Sequence, residues 1–119
     1  MTIEISVRNQ QLQALQNVLV PLCELLRLDK PTYWLAHFAR CLQTTDQLLL
    51  NGFDQAALNE LSLSVRSVFG GMGSFNDYVP IMNTKESSAW YQKYGNPEKV
   101  IGLVYNAALN LMVIGERHG

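Results

Sequence analysis

The residues best suited to chemistry in this chain cluster in one stretch. Gly70, Gly71 and Gly73 stand within four positions and are followed by Ser74, Asn76 and Asp77. Such a density of glycine invites a phosphate-cradling loop, because backbone N–H groups approach an anion closely where no Cβ intervenes. The details oppose that reading. Gly71-x-Gly73 begins a dinucleotide-type pattern, but Asn76 occupies the place of the third small residue, and no Gly-Lys-Ser/Thr is present. That motif also comes after a strand and opens a helix, whereas the apolar spacing before Gly70 is helical. Gly70, Gly71 and Gly73 are therefore expected to form a structural turn that stops a helix, with Asn76 or Asp77 capping the next stretch of chain.

The other reactive side chains are scattered. His37 lies between Ala36 and Phe38, and His118 is the penultimate residue. The chain contains no His-x-x-x-His, Glu-x-x-His or Cys-x-x-Cys, so no metal and no cofactor is expected. No serine sits in a Gly-x-Ser-x-Gly elbow. The two cysteines, Cys23 and Cys41, fall in apolar helical runs and read as reduced, buried thiols. That usage points to a reducing compartment, and no catalytic residue is expected.

Trp90-Tyr91-x-x-Tyr94 is a different kind of feature. Three large rings lie within five residues, beside Lys85, Glu86 and Lys93. On a helix, residues three and four apart are neighbours, so the rings share one flank. One or two of them must pack on the core. Another is available as an anchor for a protein partner, since Tyr and Trp are enriched at interface hot spots.

These residues need elements to position them, and the patterning is helical throughout. Leu12, Leu15, Leu19, Leu22 and Leu26 keep to three- and four-residue steps, with Ile5 ahead of them and Arg8 in the position that would complete the series. They predict a helix over 5–28, kinked or split near 17–20 by Pro21. Asp29-Lys30-Pro31-Thr32 marks a break and a new start, after which a second helix runs to about Thr45. A short turn over 47–50 is expected after Asp46. Asp54 is a natural N-cap for a third helix with the stripe Leu58, Leu61, Val65 and Val68. A short extended or helical piece is expected over 78–82, then a short helix over 85–94. Asn96-Pro97-Glu98 opens a last helix running to about Gly115, apolar on most sides and so expected to be central. The expected fold is all-α: a single domain over 1–119, with four main helices plus one or two short ones, packed around the first and last.

Composition narrows the function. The chain has 119 residues, nine Lys and Arg against ten Asp and Glu, and a formal net charge of -1. No Lys/Arg run and no basic half exist, so nucleic-acid binding has no electrostatic footprint. No apolar run approaches the ~18 residues of a membrane span, and the first residues lack a basic segment leading into an apolar one. A cytoplasmic protein without membrane attachment is the expectation.

The segment Phe69-Gly70-Gly71-Met72-Gly73-Ser74-Phe75-Asn76-Asp77 resembles the signature of a family of small bacterial helical proteins that accompany polymorphic toxins. Trp34-Leu35 and the helix over 54–68 are placed as in that pattern. The resemblance implies an immunity protein, including the type found in contact-dependent growth inhibition. Such a protein is not an enzyme; it binds a cognate toxin domain and occludes it sterically. The expected partner surface is Asn76, Asp77, Tyr78, Lys85, Glu86, Trp90, Tyr91 and Tyr94. The resemblance carries no catalytic residues. A homo-oligomeric structural or adaptor module is the alternative, motivated by the heptad-like first helix and the apolar last one. Monomer and homodimer both stay open. A small enzyme using His37 or Asp77 beside the glycine segment is the third and weakest reading.

Overall fold

A computed structural model describes residues 5–28, 33–70, 75, 78, 80 and 84–112. Gly71, Gly73, Asn76, Asp77 and His118 lie outside the described residues, as does the stretch from 113 onwards. Five α-helices succeed one another: α1 Ile5–Arg27, α2 Tyr33–Asn51, α3 Gln55–Arg66, α4 Lys85–Tyr94 and α5 Pro97–Leu109. No strand occurs among the described residues.

The leucine stripe of α1 forms because it has somewhere to go. Leu12, Leu15, Leu19, Leu22 and Leu26 are all buried, and α1 packs against α2, α4 and α5. Removing each such side chain from water contributes roughly 2 kcal/mol, so this one helix organises the core. Two expectations change. Ile5 is 72% exposed, so the stripe begins at Arg8 rather than at Ile5. The helix also runs unbroken through Pro21, which is itself buried.

α2 corrects the expected boundary at Thr45. It continues to Asn51 as one helix and absorbs the separate turn expected over 47–50. The reason is local. Thr45 is buried, and its hydroxyl donates to the Cys41 carbonyl one turn back at 2.7 Å, which satisfies it inside the helix. Asp46 does not cap; its Oδ1 accepts from Gln16 Nε2 on α1 at 2.7 Å. The helix ends where Gly52 takes a positive φ of 96° and its N–H donates to the Leu48 carbonyl.

The expected start signals act at α3 and α5. Asp54 Oδ1 accepts from Ala57 N, and Asn96 Oδ1 accepts from Glu98 N ahead of Pro97. α4 spans the expected residues and is opened by a capping box in which Thr84 and Ser87 bond reciprocally. α5 is shorter than expected and ends at Leu109. It is also not enclosed. Val100, Val104 and Ala108 form one buried stripe, whereas Leu103 is 44% exposed. α5 therefore lies on the flank of α1 and α3, and α1 alone is central.

Candidate functional site

The glycine segment is held at its ends by aromatic rings. Phe69 and Phe75 meet edge-on with centroids 5.7 Å apart, and the Phe75 N–H donates to the Val68 carbonyl at 2.7 Å. Phe75 is buried, and its ring also meets Trp34, Phe38 and Tyr78. The chain thus enters and leaves the segment at one point, clasped against α2. Gly70 is needed there for its φ of +96°. Tyr78, expected on the partner surface, is half-buried and stacks on Phe75 at 5.1 Å, so most of its ring serves the clasp.

His37 and Cys41 face each other one turn apart on α2, with Sγ 3.8 Å from Nε2. A groove of about 470 Å³ between α2 and α3 runs beside them. The electrostatics run against an activated nucleophile. Burial pushes the Cys41 thiol up to about 11, with the nearby Cys23 adding to the rise and Arg40 opposing it. Burial pushes the His37 imidazole below its ordinary range, opposed by a hydrogen bond to the Ser64 backbone and reinforced by Arg40. Both groups are neutral at pH 7, the reverse of a thiolate–imidazolium pair. Cys23 is likewise pushed up to about 11, chiefly by burial.

The remaining expected surface gathers on α4. Trp90 must be removed from it. The residue is 4% exposed, and its indole N–H donates to the Pro21 carbonyl in α1 at 2.8 Å, so it is a core residue. The reason is geometric: α4 packs on α1, and the inward line of α4 passes through Ser87 and Trp90. Tyr91 and Tyr94 flank this line and are half-buried. Tyr94 donates to Glu24 Oε2 on α1 at 2.6 Å, and Lys93 Nζ lies 5.0 Å from the Tyr94 ring centroid. The Lys93 pKa is raised, first by its hydrogen bond to Tyr94, then by the charges of Tyr94 and Glu24. Lys85 and Glu86 are exposed at the start of the helix. Two grooves border this surface. One of about 410 Å³ lies between Tyr91, Pro80 and Pro97, and one of about 200 Å³ lies between Glu24, Glu86 and Tyr94. Glu24 carried no signal in the sequence, being 70 positions from Tyr94.

A family model, Domain of unknown function (DUF6966), matches residues 27–88, just over half of the chain. The chain belongs to this family. No curated protein and no solved structure matches it.

The DUF6966 region begins at the last residue of α1 and takes in α2, α3, the glycine segment and the first turn of α4. Every ring of the clasp that involves Trp34, Phe38, Phe69, Phe75 and Tyr78 falls inside it. The α4 surface straddles its end, with Lys85 and Glu86 inside and Tyr91 and Tyr94 beyond. Among the described residues no group of three His, Cys, Asp or Glu side chains is arranged to hold a metal ion. No described helix is long and apolar enough to cross a membrane.

Proposed function

We propose that this chain is an immunity protein that acts in the cytoplasm, where it binds one cognate bacterial toxin domain and neutralises it by steric occlusion. The reading rests on the resemblance carried by Phe69–Asp77 and on one structural observation. The Tyr91 and Tyr94 rings stand half-exposed on α4 and are held in place, Tyr94 by Glu24 and the helix as a whole by Trp90. Rigid aromatic rings bordered by grooves bind a protein at low entropic cost, and the exposed charges of Lys85 and Glu86 supply discrimination at the rim. The partner surface is thus Lys85, Glu86, Tyr91 and Tyr94, while Tyr78 serves the clasp and Asn76 and Asp77 stay in the proposal on the resemblance alone.

The test is capture from the native host. The tagged chain is expected to bring down, in stoichiometric amount, a protein with a toxin-like C-terminal domain. Tyr91→Ala combined with Lys85→Glu is expected to weaken that capture at least tenfold while the helical circular-dichroism spectrum stays unchanged. Capture of no such protein from cells that express toxins overturns the reading. Capture that ignores both substitutions moves the surface elsewhere.

A further inference from the structure

A groove of about 670 Å³ runs beside α5, sharing only Glu98 with the groove next to Tyr91. Its features are unusual for a plain helix surface. Gly102 sits mid-helix, and a Cβ built there meets no atom within 4 Å. Glycine inside a helix costs about 1 kcal/mol relative to alanine, a penalty that is offset where another backbone comes close. Ile101 and Tyr105 line the same groove, with Tyr105 fixed edge-on by Phe69 at 5.2 Å.

The charges at the two ends decide what fits. Glu98 stands in the first turn of α5. Arg66 stands toward the opposite end, donating through Nε to Ser62 and reaching Met112 just beyond the helix. Both side chains line the groove. A second copy laid parallel would set acid on acid and base on base. A second copy laid antiparallel, about a twofold axis near Gly102, sets each Glu98 against Asn106 and Arg66 of the partner subunit. That arrangement also opposes the two helix dipoles. It satisfies both ends at once and closes after two copies.

We propose that this face of α5 is a self-complementary interface on which a second copy of the chain docks antiparallel across Gly102. The leucine stripe of α1 is buried inside the chain and is not available for association. The interface needs no toxin and its test uses this chain alone, so its failure leaves the α4 surface untouched.

Sedimentation equilibrium over about 10 to 500 μM tests it, the range in which a small interface of this kind assembles. The wild-type chain is expected to shift from monomer to dimer and no further. Gly102→Leu, which fills open space without crowding the fold, is expected to hold the chain monomeric throughout. Glu98→Arg is expected to weaken dimerisation at least tenfold, and Glu98→Arg with Arg66→Glu to restore it. Arg66 also bonds within its own chain, so Gly102→Leu decides the matter if the double variant loses helicity. A wild-type chain that stays monomeric, a dimer indifferent to Gly102→Leu, or a folded double variant that fails to recover overturns the proposal.

Discussion

The indole N–H of Trp90 donates to the main-chain carbonyl of Pro21 across 2.8 Å, joining α4 to the C-terminal third of α1. Trp90 is thereby both a large apolar side chain in the core and the donor to a specific backbone acceptor 69 residues away in sequence. The flanking rings of Tyr91 and Tyr94 take their positions from it, because an α-helix fixes the direction of its neighbours once one residue is anchored.

Trp90→Phe keeps most of the apolar volume and deletes the donor. It is expected to lower stability by about 1 kcal/mol, the usual net worth of one hydrogen bond, because the Pro21 carbonyl keeps its in-helix backbone donor. Trp90→Ala adds a cavity and is expected to cost about 3 to 5 kcal/mol. Urea denaturation monitored by circular dichroism separates the two. Equal midpoints for Trp90→Phe and wild type would show that the bond contributes nothing.

The clasp around the glycine segment separates side-chain from backbone effects. Phe75 is buried against four rings, so Phe75→Ala is expected to destabilise by about 3 to 5 kcal/mol. A Cβ at Gly70 meets nothing within 4 Å, so Gly70→Ala carries only the penalty of its positive φ, about 1 to 2 kcal/mol. Gly70→Asn is expected to fall between Gly70→Ala and wild type, since asparagine tolerates that conformation better. Thermal melts of the three variants check the order. A Gly70→Ala loss as large as that of Phe75→Ala would mean that the glycine conformation, and not the rings, holds the clasp.

Several parts of this arrangement were legible in the sequence, and the rest was hidden for identifiable reasons. Asp54 and Asn96-Pro97 announced their helices because capping is local chemistry. The limits of α4 match the expected 85–94, although the Thr84–Ser87 capping box that opens it was not singled out in the sequence. The end of α2 was not, because Thr45 and Asp46 look like helix terminators until their bonds to Cys41 and Gln16 are seen. Arg8 occupied an apolar position in the stripe with no visible purpose. In the fold its Nη1 donates to the Asn110 carbonyl at 2.9 Å, so a cation meets the negative end of α5 across 102 positions of sequence. Helical spacing likewise placed Trp90, Tyr91 and Tyr94 on one flank without revealing which ring pointed inward, since that depends on the tilt of α4 against α1.

The thiols give a direct readout of core integrity. Cys23 and Cys41 are buried, and both are pushed up to about 11 by burial. The thiolate is the reactive form, so both are expected to resist alkylation by iodoacetamide in the native protein near pH 8. In denaturant both are expected to react completely. Mass spectrometry of the quenched products counts the labels. One rapid label on the native chain would show that its cysteine is accessible and that the packing of α1 on α2 opens readily.

His37 makes stability depend on pH, and the sign is set by the direction of its shift. Burial holds the folded-state pKa below the ordinary 6.5. The unfolded chain therefore takes up a proton at His37 before the folded chain does. Its contribution is present in full above the ordinary value and is lost as the pH falls through the window below it. Unfolding free energies measured by urea between about pH 7 and about pH 5 are expected to decline with acidification. His37→Gln cannot titrate and is expected to flatten that decline, whatever its effect on stability at neutral pH. An identical slope in the variant would assign the pH dependence to other groups and would place the His37 imidazole in contact with water.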